Sequence, residues 1–292
     1  MSETKKKNWF KRLFAIRGMG QVITVFFGLI GLCLIFYFIN NNFLSSRNVA
    51  NLLRQIAPYL IISIGQGYVL ITGNIDLSIG SVIGMSAMIS ATLMTHGMNP
   101  WLASIATIIP CVFTGFVNGF LVATCKLPPF IGTLGTMTIA RGVAQLVNGN
   151  MNTDAIGAGA EGWRSFLYYG KFLNIYNTFW IALVLWLIFN YYLSRTKSGR
   201  HIYAVGSNIE AAKLSGVNVA ATTTKAYIVS AFCASVVGLI TCAQAGMGAM
   251  DAGNGYEMYA VAASVIGGIS TLGGQGILLG NIVGASVWGS MY

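Results

Sequence analysis

Long apolar runs separated by short polar breaks make up most of the chain. The first, residues 19–40, reads "MGQVITVFFGLIGLCLIFYFIN". Others cover about 52–72, 78–95, 100–123, 130–147, 175–193 and 226–245. A last block, 259–292, is interrupted by "GGISTLGGQG" and reads as two runs. A helix needs about 20 largely apolar residues to cross a bilayer. The pattern therefore predicts an all-α polytopic membrane protein with about nine visible spans. The fifth run is thinner and carries Arg141; a polar loop, 148–171, follows it.

Composition agrees with this reading. Charged residues make up 8% of the chain and hydrophobic ones 55%, with mean hydropathy +0.69. Soluble domains carry about 25% charged residues, and so few charges cannot clothe a water-soluble surface. A net charge of +10 would suggest nucleic acid in a soluble protein. Here the bases sit at span ends and in loops, with no basic patch interleaved with aromatics. They read as topology signals facing membrane lipid, and no nucleic-acid partner is expected. Residues 1–18 hold Lys5, Lys6, Lys7, Lys11, Arg12 and Arg17, which predicts a basic, cytoplasmic N-terminus in the cell membrane. The run after it lacks a small-residue cleavage site, so it is a retained span rather than a removed signal peptide. Residues 19–292 then form one transmembrane domain.

Counting from a cytoplasmic start puts Lys126 and 195–225 inside, and 148–171 and 246–257 outside. The outer loops hold Asp154, Glu161, Asp251 and Glu257, while most bases fall inside; Arg47 and Arg54 are mild exceptions. Nine spans would leave the C-terminus outside. The chain stops within an apolar run, "GASVWGSMY", without a polar flank. That predicts a truncated version of a longer protein, lacking a final span.

The chemistry of the composition is sparse. The five cysteines form no C-x-x-C pair and read as small buried apolar residues. His96 and His201 show no ligand spacing, so neither a metal nor a cofactor is expected. The 36 glycines exceed what helix propensity favours. Gly80 and Gly84, then Gly276, Gly280 and Gly284, are four apart, a spacing that lets helix backbones approach closely in lipid. The chain has no P-loop; its one G-x-G-x-x-G, "GAGAEG" from Gly157, lies in the outer polar loop without a preceding strand.

Two segments look like helix breaks at membrane depth: "ITGNIDLSIGS" and "GGISTLGGQGILLG". Such breaks must be buried in protein or line a cavity, and in transporters they mark the pathway. The alternative at both places is a tight turn between adjacent spans. Asp76 is either a functional intramembrane acid or a cap on the helix that follows. Arg141 pairs with a carboxylate or a polar backbone, or snorkels to an interface.

Charge concentrates in 195–225, "RTKSGRHIYAVGSNIEAAKLSGVNVAATTTK". Within it, "SNIEAAKLSG" predicts a short helix. Asn208 suits the N-cap. Glu210 in the first turn and Lys213 in the last match the helix dipole, and Gly216 suits the left-handed position past the end. About two turns are too short to stand alone in water. The helix packs either on the membrane interface or its own spans, or in a groove of a cytoplasmic partner.

"EAAKLSG" resembles the E-A-A-x-x-x-G signature that importer permeases of the ATP-binding-cassette class carry in the loop touching their ATPase; the later I-x-L-P of that signature is missing. "TKSGRHIYAVGSNIEAAKLSGVNV", "ITGNIDLSIGS", "PPFIGTLGTMTIARG" and "GYEMYAVAASVIGGISTLGG" are similar to the monosaccharide (ribose/galactose/xylose) permease branch, over about 47–292. The resemblance implies a fold like that of the cobalamin-importer permease and a dimer with a second permease copy. It also implies a sugar-binding protein outside and a separate cytoplasmic ATPase, so the chain itself is no enzyme. Coupling to that ATPase would use Arg200, Asn208, Glu210, Ala211, Ala212, Lys213 and Gly216, with the small alanines seated in the partner's groove. The translocation path would use Asp76, Asn118, Thr133 and Thr136, since a neutral sugar needs hydrogen-bonding groups rather than counter-charge. Nucleoside and branched-chain amino acid permeases are relatives of similar architecture. An ion-coupled secondary transporter would need intramembrane acids, and Asp76 is the one candidate. A membrane enzyme would need an H-E-x-x-H or an acid cluster that the sequence lacks.

Overall fold

Lipid offers the backbone no hydrogen bonds, so an apolar run satisfies its own as a helix. The computed structural model describes residues 19–291; the basic segment 1–18 lies outside the described residues. The runs become α1 (Met19–Ile39), α2 (Ser46–Ile71), α3 (Ile79–Thr95), α4 (Pro100–Ala123) and α5 (Pro129–Leu146). Side chains set several starts: Ser45 caps α2 by accepting from the Asn48 amide, and Asn99 caps α4 ahead of Pro100 at its first turn. The polar loop after α5 is structured. It holds the short α6 (Glu161–Arg164), a π-turn (Ser165–Tyr169) and a two-residue hairpin, β1 (Lys171–Phe172) with β2 (Ile175–Tyr176). Then come α7 (Asn177–Arg195), α8 (Lys197–Ser207), α9 (Ile209–Leu214), α10 (Val219–Ala245), α11 (Tyr256–Ile266) and α12 (Leu278–Met291).

Four of these are long and apolar enough to cross a membrane: α1, α4, α7 and α10. The final apolar block, expected as two spans, holds two shorter apolar helices of 11 and 14 residues. At 1.5 Å per residue α11 reaches about 16 Å, less than the ~30 Å hydrocarbon core.

The core is built around α10, which packs on α2, α3 and α4. Its residues Ala226, Tyr227, Cys233, Ala234, Val237 and Ile240 are fully buried. The glycine spacing serves close approach. Gly80 lies directly against the Gly253 carbonyl and Gly84 against Ala252, while Gly280 and Gly284 lie against the backbone of Gly267 and Ala263. The outer surfaces of α1, α4 and α7 carry exposed Phe, Ile and Leu, such as Phe27, Ile109 and Leu187, as a lipid-facing surface requires.

Candidate translocation and coupling site

Both readings of "ITGNIDLSIGS" hold in part. A tight turn closes α2: Gly73 has φ +78°, and the Gly73 and Asn74 amides donate back to the Leu70 and Val69 carbonyls at 2.8 and 3.2 Å. Residues 75–78 then run without helix back into the protein, and Asp76, Leu77 and Ser78 are buried. Asp76 Oδ1 accepts from the Ser78 amide at 2.9 Å and the Ser78 hydroxyl at 2.7 Å. Its Oδ2 accepts from Ser230 Oγ on α10 at 2.7 Å. Asn118 Nδ2 on α4 donates to Ser78 Oγ at 2.9 Å and, at 3.5 Å, weakly toward Asp76 Oδ1. Thr136 of α5 donates to Asn118 Oδ1. Of the four residues expected on the path, Asp76, Asn118 and Thr136 thus share one buried network. Thr133 is buried but donates to the Pro129 carbonyl of its own helix at 2.8 Å.

Asp76 therefore caps locally and also ties together three elements distant in sequence. All its donors are neutral. They compensate the cost of burying a carboxylate, and they spend the network's donors on itself.

α10 orders what lies above and below. At its start, Val219 and Thr223 line a cavity of about 610 Å³ with Asn74, Lys126, Glu210 and Lys213. Farther along, Tyr227 donates to the Ile75 carbonyl at 3.0 Å, beside Ser230 and Asp76. At its end, Thr241 and Gln244 line a second cavity of about 700 Å³ with Arg54, Tyr168, Asp251 and Gly253. The loop between α10 and α11 floors that second cavity by dipping inward along α3. Gly248 packs on Ala87, Met88 and Ala91, and Gly253 on Gly80 and Ile83. Arg141 fastens the loop: Nη1 donates to the Met250 and Ala252 carbonyls at 2.8 and 2.9 Å, and Nη2 to the Gly80 carbonyl at 3.3 Å. Of the roles open to Arg141 from sequence, the structure takes the polar backbone. Residues 74–80 thus reach from one cavity to the floor of the other.

The charged block forms two helices at the first end. Thr196 Oγ1 caps α8 by accepting from the Gly199 amide at 3.1 Å. Gly206 lies against the Ile71 carbonyl with no space for a side chain. Tyr203 donates to the Gly276 carbonyl at 2.8 Å, and burial pushes its phenol up to about 12. The Gly274 amide donates to the Ile71 carbonyl at 2.8 Å. So α8 is joined to the end of α2 and to the glycine-rich loop before α12. Helix α9 follows as its sequence predicts. Asn208 Oδ1 accepts from the Ala211 amide at 2.9 Å, Glu210 lies in the first turn and Lys213 in the last, and Gly216 has φ +79°. Arg200, Glu210, Ala211, Lys213 and Gly216 are exposed. Ala212 is buried within its own chain, so the two alanines expected to seat together face opposite ways. Two residues that sequence reasoning passed over project instead: Ile209 is 52% exposed and Leu214 89%.

Residues 48–292 match the family described as "Branched-chain amino acid transport system / permease component". The chain belongs to this permease family. It is 34% identical over 265 residues to the ribose import permease protein RbsC of Haemophilus influenzae, covering 90% of this chain and 82% of that one. It is 34% identical over 279 residues to the ribose import permease protein RbsC of Bacillus subtilis, covering 94% and 84%. It is also 34% identical over 247 residues to the autoinducer 2 import system permease protein LsrC of Salmonella typhimurium, covering 85% and 70%. No solved structure matches.

The permease also buries polar atoms that the sequence gives no reason to single out. Both ends of the Gln66 amide, Ser81 Oγ and Asn281 Oδ1 have no hydrogen-bond partner among the described residues. All three residues are buried. An unmade bond of this kind costs about 1–3 kcal/mol per group. A glutamine in a transmembrane run offers no spacing signal; only its burial, decided by packing, makes it notable.

Proposed function

We propose that this chain is the membrane-spanning subunit of an ATP-driven importer and that it carries a monosaccharide. The observation carrying this reading is the family membership, joined to a capped, projecting helix at one end of the fold. The ATPase is a separate cytoplasmic protein, and a sugar-binding protein delivers the solute at the opposite face. The 1–18 and α9 ends are cytoplasmic, which sets the cavity lined by Gln244 and Asp251 outside. Two copies form the working unit, in the manner of the cobalamin-importer permeases. Residues 195–225 are the coupling loop of a single permease domain, 19–292. In it α9 presents Ala211, Ile209 and Leu214 to the ATPase, while Arg200, Glu210 and Lys213 fix its register and Asn208 and Gly216 hold its ends. Asp76, Asn118 and Thr136 serve the path by bracing the 72–78 break between the two cavities; Thr133 stiffens α5 beside them. Small apolar groups and short polar turns suffice at such a contact, because rigid docking rather than chemistry transmits the stroke.

Proteoliposomes holding the permease, its ATPase and its binding protein test this. Uptake of labelled ribose should require all three proteins and ATP. Uptake of leucine in place of any pentose would overturn the sugar assignment. Uptake by the permease alone, driven by a proton gradient, would overturn the ATP-driven reading.

A further inference from the structure

We propose that the Gln66 amide, together with that of Asn281, is a hydrogen-bonding contact for the neutral polyhydroxylated solute as it crosses; this rests on the import reading above. Gln66 is fully buried, and neither Nε2 nor Oε1 has a partner among the described residues. Asn281 is also fully buried: its Nδ2 donates to the Ser63 carbonyl at 2.6 Å, and its Oδ1 has no partner there.

Asn281 meets α2 at a seam next to Gln66. Ser63 precedes Gln66 by one turn of α2. Its carbonyl accepts from Asn281 and, at 3.1 Å, from Ser264 Oγ of α11. Gly67, the neighbour of Gln66, packs against Asn281 Nδ2, Ile269 and Leu278. Along α2, Gln66 lies between Arg54, which lines the larger cavity, and Ile71, which anchors α8. It is therefore at intermediate depth.

The chemistry selects the ligand class. Ser63, Gln66, Ser264 and Asn281 are all neutral, so the seam offers no counter-charge to an ion. Sugar hydroxyls both donate and accept. A glutamine amide answers with two donors and a carbonyl oxygen on one planar end. The Asp76 network differs: its groups are bonded to each other, and a solute would have to break them. Neither end of the Gln66 amide is bonded among the described residues. Its cost is offset when another state of the transport cycle brings hydroxyls to it. A site built on such groups rejects solutes that lack the hydroxyl.

The test compares wild type, Gln66→Met and Gln66→Asn in proteoliposomes with ATPase and binding protein, using ribose as the probe. Three quantities are read: ribose uptake, binding-protein-stimulated ATP hydrolysis, and the thermal midpoint of the permease. Gln66→Met should lower uptake about tenfold or more, keep hydrolysis within about twofold of wild type, and melt at the same or a higher temperature because an orphan amide is gone. Gln66→Asn, with a shorter amide, should lie between. Uptake by Gln66→Met equal to wild type would overturn the proposal. So would joint loss of uptake and hydrolysis, which would place Gln66 in the conformational cycle. A melting temperature lowered by several degrees would also overturn it, because the amide would then be holding the fold. Failure of wild type to import any monosaccharide overturns the functional reading, and this inference with it.

Discussion

Replacing Arg141 with methionine keeps most of the side chain's length and removes its donations to three backbone carbonyls. Two of those bonds are short, 2.8 and 2.9 Å to Met250 and Ala252, and the third, 3.3 Å to Gly80, is weak. A hydrogen bond from a charged donor contributes about 1.5–3 kcal/mol. The short pair therefore holds the loop between α10 and α11 by at most about 6 kcal/mol; because Arg141 is only half buried, water screening brings this toward about 3 kcal/mol. At about 1.4 kcal/mol per tenfold, local opening of the loop becomes roughly 100-fold more frequent. Ala252 on that loop is 9% exposed, at the floor of the cavity, so Ala252→Cys labels slowly while the loop is closed. Its rate of maleimide labelling in detergent, read by peptide mass spectrometry with exposed Cys125 as internal reference, measures the opening. Arg141→Lys should fall between, since one ammonium does not match the fork that meets two carbonyls. Labelling in Arg141→Met no faster than with Arg141 present would refute the claim that this side chain fastens the floor of the cavity.

Three further outcomes are expected. Glu210→Lys with Gly216→Pro should abolish ATP-driven uptake while membrane insertion stays normal. Proline cannot adopt φ +79°, and it removes the amide that donates to the Lys213 carbonyl at 3.0 Å; normal uptake by the double variant would sink the coupling role of α9. Leu214→Glu should leave the thermal midpoint unchanged, because the side chain is 89% exposed, yet reduce co-purification of the ATPase; unchanged co-purification would remove Leu214 from the contact. Tyr203 ionises near about 12 in the fold because of burial, against about 10 in an unfolded chain. Its contribution to stability is therefore complete below about pH 10 and lost as pH rises toward the folded value. Thermal midpoints from pH 9 to 12 should show this loss in wild type and less of it in Tyr203→Phe.

Much of the helical framework was legible in the sequence because lipid enforces it. The run expected at 100–123 is α4 with the same bounds, and α1, α3 and α5 begin and end within about a residue or two of the expected limits. Apolar length and a capping Asn or Ser are local properties, and the cap of α9 at Asn208 was legible for the same reason. By contrast, α8 was not. "KSGRHIYAVGS" reads as a charged loop, and it becomes a helix because Ile202 and Val205 are buried and Gly206 meets the end of α2. The polar loop after α5 likewise gave no sign of its π-turn and hairpin, which Arg54 supports by lying between the rings of Tyr168 and Tyr176 at 4.7 and 4.0 Å.

The sequence by itself determined a mostly helical membrane protein and the α9 signature, because hydropathy, caps and dipole charges act over a few neighbouring residues. It also identified Asp76 and Arg141 as the unusual charges in apolar surroundings. Tertiary structure alone decided their partners. Ser230 is 154 positions from Asp76, and the two carbonyls that Arg141 holds by short bonds are more than 100 positions away. It alone joined Asp76, Asn118 and Thr136 into one network and left Thr133 bonded to its own helix. It alone left the Gln66 amide buried without a hydrogen-bond partner among the described residues. Depth, burial and the satisfaction of a polar group depend on which helices pack together. No local pattern in a uniformly apolar chain encodes that.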